Sequence, residues 1–196
     1  MDRDRLTAFT DGVVAVIITI MVLELRPPHG TRVADLLALY PVFLSYILSF
    51  VYVAIYWNNH HHFFQLVAKV NGAVLWANLY LLFWLSLIPF CTAWVGQNPT
   101  ATPTALYGVA LLMAAVAWSV MQATIIRQQG PDSPLKRALG SDLKGKLSPL
   151  LYFAGIGLAF VRPLFSDLLY LGVALMWLVP DRRMEKAITE GLGPGS

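Results

Sequence analysis

The chain is divided into long apolar runs that few charges interrupt, and this limits its fold more than any other feature. The first run, "TAFTDGVVAVIITIMVLEL" from Thr7 to Leu25, stops at "RPPHG", where two prolines and a glycine end a helix. Further runs cover about 35–57, 72–95, 105–126, 147–161 and 164–179. Apolar runs of roughly 17–25 residues have the length of transmembrane helices. Only 13% of the 196 residues are charged and 57% are hydrophobic, too little charge to cover a soluble domain of this size. The predicted fold is an all-α membrane protein with six transmembrane helices. The last two runs are short and meet at Arg162–Pro163, as a hairpin that barely crosses a bilayer. One transmembrane domain is expected over 1–187. Residues 188–196 read as a flexible tail, and their "GLGPGS" ending has the composition of a vector remnant. The first run carries Asp11 and lacks a small-residue cleavage pattern before "ELRPPHG", so it reads as a retained helix and not a signal peptide.

Loop charges give an orientation. With the N-terminus in the cytoplasm, the inside set is Arg3, Arg5, Lys69, Arg127, Lys136, Arg137, Lys144, Lys146, Arg182, Arg183 and Lys186. The outside set is Arg26, Arg32 and Arg162. Eleven against three is a positive-inside bias that supports six spans with both termini cytoplasmic. The net charge of +3 is therefore a topology signal, and nucleic acid is not an expected partner. The single Cys91 excludes an internal disulfide and reads as a buried thiol. His60, His61 and His62 diverge by about 100° on a helix, so they cannot converge on one metal ion. No Walker loop, G-x-S-x-G or H-E-x-x-H occurs, and no enzymatic role, metal or cofactor is expected. Trp57, Trp94, Tyr107, Tyr152 and Trp177 lie near run ends and read as an interfacial aromatic belt.

The first run holds the functional candidates. At 100° per residue, Phe9, Gly12, Val16, Thr19, Ile20 and Leu23 share one face. Asp11 points about 120° from the centre of that stripe. A carboxylate at membrane depth is costly unless it has partners. Arg5 points elsewhere on the same helix, so the donors must come from another helix. "YWNNHHHFFQ" at the cytoplasmic end of the second run supplies Trp57 and His60, which share a face, and Asn78 opens the third run nearby. A cluster of Asp11, Trp57, His60 and Asn78 would satisfy the carboxylate.

"RLTAFTD" followed by "VVAVIITIMVLEL" resembles the R-x-x-x-F-S-D signature that opens the first helix of TMEM175-family potassium channels, with Thr10 in place of Ser. "WNNH" with "FFQ", and "ANLYLLFWLSLIPF" with Asn78 and Pro89, are similar to that family's second and third helices. The resemblance covers about the first 95 residues. It implies a potassium-permeable cation channel without a P-loop filter, assembled as a homotetramer with helix 1 lining the pore. By the same resemblance the constriction falls on Val16, Thr19 and Leu23, with Ile20 as a neighbour. Thr19 would offer oxygen to a partly dehydrated K⁺ or other monovalent cation, and the apolar collars would gate by dewetting. Arg5, Phe9, Thr10, Asp11, Trp57, His60 and Asn78 would form a structural brace. Glu24 at the outer end reads either as an acidic ring or as a solvated helix-end charge, and Asp167 carries the same two readings. The expected location is a bacterial plasma (inner) membrane. The alternative is a proton-coupled secondary transporter using Asp11 and His60 as a relay; it would show paired repeats, and none is visible.

Overall fold

The computed structural model describes residues 2–130, 133–140 and 142–178. Every regular element among them is helical. In order they are α1 (Arg3–Leu23), α2 (Val33–Leu37), α3 (Tyr40–Gln65), α4 (Gly72–Ser86), α5 (Ile88–Gln97), α6 (Ala101–Gln129), α7 (Pro134–Leu139), α8 (Leu143–Ala159) and α9 (Pro163–Leu178). Four stretches are long and apolar enough to cross a membrane: α1, α3, α4 with α5, and α6. At 1.5 Å per residue, α8 and α9 are about 26 and 24 Å long, short of a hydrocarbon core of about 30 Å.

The boundaries depart from the hydropathy runs where local chemistry outweighs apolarity. The second run begins with a separate short helix. Asp35 reaches back to the backbone N–H of Arg32 at 3.1 Å and pairs with its guanidinium at 3.0 Å, closing α2 as a capping box. Pro41 then sits in the first turn of α3, where a missing N–H costs nothing. That helix continues past Trp57 to Gln65, so the polar "WNNHHHFFQ" extends the second run's helix beyond its apolar part. The third run is interrupted at Leu87. Pro89 cannot donate to Leu85, and the chain answers with a tighter bond from the Leu87 N–H to the Trp84 carbonyl. Asn71 caps α4 by accepting from the Val74 N–H at 2.9 Å. The polar stretch after α6 folds one further short helix, α7, capped by Ser133. The ends of the last run and of the predicted 1–187 domain, and the tail 188–196, lie outside the described residues.

The long α6 is central and packs on α4, α5, α8 and α9, while α3 packs on α1, α5 and α9. Buried Ala105, Gly108, Ala110, Ala114 and Ala117 on α6 let these backbones approach closely, the usual substitute for hydrophobic drive between membrane helices. Tyr170 of α9 shows the tolerance. Its ring lies between Gly108 and Gly155, and a Cβ on either glycine would collide with it. Its backbone carbonyl accepts from the Tyr52 hydroxyl, and Ser166 Oγ donates to the Gly155 carbonyl at 2.7 Å. These contacts fasten the short hairpin onto the longer helices.

The aromatic belt reading fails for two residues. Tyr107 and Tyr152 are both 2% exposed and form an aromatic cluster with Tyr52 and Tyr170. The Tyr107 hydroxyl meets Ser49 Oγ at 2.9 Å, and Ser49 meets Thr92 Oγ1 at 2.6 Å. A tyrosine near a span end can turn inward when a neighbouring helix offers a hydroxyl.

Candidate functional site

α1 lies at the edge of the bundle against α3, α4 and α5, and its two faces differ. Leu6, Thr10, Val14, Ile17 and Met21 are buried. Phe9, Val16, Ile20 and Leu23 are exposed in the single chain, Val16 at 57% and Leu23 at 73%. Gly12 and Thr19 are exposed with them, and a Cβ at Gly12 would meet open space. On a helical wheel the two sets are centred about 130° apart. All six residues of the sequence-defined stripe therefore lie on the uncovered side. Glu24, at the C-cap of α1, is exposed as well.

The covered side is held by a buried hydrogen-bond chain across three helices. His60 Nε2 and Asn78 Oδ1 are 2.9 Å apart, and Asn78 Nδ2 donates to Thr10 Oγ1 at 3.0 Å. With the amide oxygen facing His60, the imidazole donates from Nε2. Its ring stacks on Phe64 at 4.4 Å. His60, Asn78 and Thr10 are each 2% exposed, so each would pay a desolvation cost without the other two.

Asp11 is not part of that chain. Its Oδ1 accepts from Trp57 Nε1 at 2.9 Å, on the exposed flank of α1. The cluster read from the sequence is thus two separate units, one buried between three helices and one on the exposed flank of α1. The reason is one residue of helical phase: Thr10 and Asp11 are adjacent, so only one can face the core. No hydrogen bond joins Asp11 to His60 among the described residues. Arg5 is exposed and Phe9 is 54% exposed, and neither reaches the His60–Asn78–Thr10 chain.

Thr19 Oγ1 donates to the Ala15 carbonyl at 2.8 Å. This uses its only proton and leaves the oxygen lone pairs free. Such an exposed oxygen can coordinate a cation but cannot donate to an anion. Cys91 is buried and free. His61 meets Gln65 at 3.0 Å and His62 its own helix's Asn58 carbonyl at 2.9 Å, so the three histidines diverge. Among the described residues no group of His, Cys, Asp and Glu could hold a metal ion. Sequence reasoning missed the Ser49–Thr92–Tyr107 hydroxyl relay. Its only signal was a set of hydroxyl residues inside otherwise apolar runs.

The family model described as the endosomal/lysosomal potassium channel TMEM175 matches residues 5–89, the portion that carries α1, His60 and Asn78. A Chryseobacterium protein named as a potassium channel is 52% identical over 97% of this chain and 100% of its own length. A Chamaesiphon minutus protein, also named as a potassium channel, is 30% identical over 82% of this chain and 85% of its own. A crystal structure of a lysosomal potassium-selective channel TMEM175 homolog from Chamaesiphon minutus superposes with a TM-score of 0.80. It is 25% identical and covers 91% of this chain and 97% of its own. This chain is an integral membrane protein and belongs to the TMEM175 family.

Proposed function

We propose that the chain is the subunit of a potassium-permeable cation channel, in which four copies set α1 around a central pore. The observation that supports this most directly is the uncovered face of α1, apolar along its length and interrupted by one hydroxyl, Thr19. Its relatives named as potassium channels are similar along nearly the whole chain. Gly12 and Thr19, with Ala8 and Ala15 next to them, form a line of small exposed residues along one edge of the stripe, which lets neighbouring copies of α1 approach. Val16, Ile20 and Leu23 then form apolar collars that close by dewetting, and Thr19 presents oxygen to a partly dehydrated cation. Asp11, tied to Trp57 on the flank, braces α1 against α3 and stays off the ion path. Glu24 stands at the outer mouth as an acidic ring. Both termini lie in the cytoplasm of a bacterial inner membrane, and α8 with α9 completes six spans as a short hairpin.

The test is K⁺ and Na⁺ flux in liposomes for wild type, Thr19→Val and Leu23→Ala. The expected result is conduction by wild type, altered K⁺/Na⁺ preference in Thr19→Val, and faster flux in Leu23→Ala. Wild-type conduction unchanged in both variants would move the pore away from α1. Transport that requires an opposing proton gradient would favour the transporter alternative, which the separation of Asp11 from His60 does not support.

A further inference from the structure

A groove of about 560 Å³ lies between α3 and α9, away from α1. Its walls are apolar: Leu44 and Leu48 from α3, and Leu168, Leu171 and Leu175 from α9. One ionisable carboxylate lines it, Asp167, and among the described residues it has no hydrogen-bond or ion-pair partner. Neighbouring groups are already committed. The Tyr107 hydroxyl is bound to Ser49. Arg162 lies over the Phe165 ring at 6.0 Å and not against the carboxylate.

Position along the helix gives the groove a scale. Asp167 lies about one turn below the start of α9, at the depth of lipid headgroups for a helix that starts at the membrane surface. From Asp167 to Leu178, where the groove ends, is about 17 Å. One leaflet of a hydrocarbon core of about 30 Å is about 15 Å deep. A half-buried acid above a leaflet-length apolar channel matches an amphiphile with a cationic head and a long hydrocarbon tail.

We propose that this groove binds an aminophospholipid, its primary ammonium on the Asp167 carboxylate and one acyl chain along the leucines of α3 and α9. The assignment to the leaflet facing away from the cytoplasm rests on the proposed topology; the site itself does not depend on channel activity. A primary ammonium donates hydrogen bonds to the carboxylate, a choline cannot, and a glycerol headgroup brings no positive charge to offset its phosphate.

The experiment is native mass spectrometry of the delipidated full chain, titrated with dioleoyl phosphatidylethanolamine, phosphatidylcholine and phosphatidylglycerol. Ethanolamine lipid should bind about fivefold more tightly than the other two, the scale of one partly exposed ion pair. Asp167→Asn should remove that preference while leaving general lipid binding in place, and Asp167→Glu should restore it. Leu171→Trp, which fills the groove, should weaken all three lipids. An ethanolamine preference that persists in Asp167→Asn overturns the proposal. So does an intermolecular disulfide formed by Leu168→Cys in membranes, since the groove would then hold a second copy of the chain. Potassium flux on the same preparations separates the two readings. Flux without lipid preference removes the lipid site alone, and lipid preference without wild-type flux removes the channel reading alone.

Discussion

The two faces of α1 are almost equally apolar, yet one is buried in the subunit and the other is bare. Ile17 is 2% exposed and Ile20, three residues on, is 42% exposed. In a water-soluble protein, hydrophobicity would decide which face turns inward. In a bilayer both faces meet apolar surroundings, and packing with hydrogen bonding must decide instead. The deciding contact is Asn78 to Thr10, backed by His60. The opposite face carries a hydroxyl as well, but Thr19 is satisfied by its own helix and exerts no pull on a neighbour. Rotation of α1 is thus set by a few polar atoms on one side.

The largest expected effect contrasts the two isoleucines. Ile17→Ala opens a cavity against the bundle and should cost about 2–4 kcal/mol of unfolding free energy. Ile20→Ala should change stability by less than about 0.5 kcal/mol in the dissociated subunit while altering ion flux. Thermal denaturation in detergent, read beside liposome flux, checks both. Equal destabilisation by the two variants would mean that the faces are not distinct.

Removing the anchor is the next test. Asn78→Leu leaves Thr10 and His60 without partners, and a loss of about 1–3 kcal/mol is expected. The same denaturation series measures it. Because the rotation of α1 would also loosen, ion selectivity should broaden in the folded fraction. A variant with wild-type stability and unchanged selectivity would show that packing alone holds the helix.

The smallest effect lies on neither face. The Arg32 guanidinium and backbone N–H hold the Asp35 carboxyl below its ordinary value. A carboxyl with a lowered folded pKa contributes stability above its unfolded value, and that contribution is lost as pH falls through the lowered one. The Arg32 guanidinium is exposed and Asp35 is only half-buried at the surface, so solvent screening keeps the contribution small. The difference in thermal midpoint between wild type and Asp35→Asn should be constant above about pH 5 and should shrink in acid. A difference that grows in acid would contradict the sign.

Much of the site was legible because helical phase is simple arithmetic. Residues 9, 12, 16, 19, 20 and 23 share a face whatever surrounds them. The partners of Thr10 and Asp11 were harder. Thr10, Asp11, Trp57 and Asn78 were all visible as polar residues in their apolar runs, but their pairing depends on angles between helices. The structure divides them, giving Trp57 to Asp11 and Asn78 to Thr10. Tyr107 and Tyr152 were misread for a related reason. Position in the sequence locates a tyrosine near a span end but does not show whether a serine on another helix faces it.

Apolar length with proline and glycine breakers was enough to determine an α-helical membrane chain, and helical phase the stripe on its first helix. These are local quantities, readable from neighbours in the chain. Only the tertiary structure decided which apolar face of α1 is covered, that Tyr170 enters the gap between Gly108 and Gly155, and that Asp167 overlooks a groove shared with α3. Those outcomes depend on contacts between residues far apart in sequence. Where lipid and protein interior are equally apolar, hydrophobicity does not choose among such contacts, and steric fit and polar pairing do.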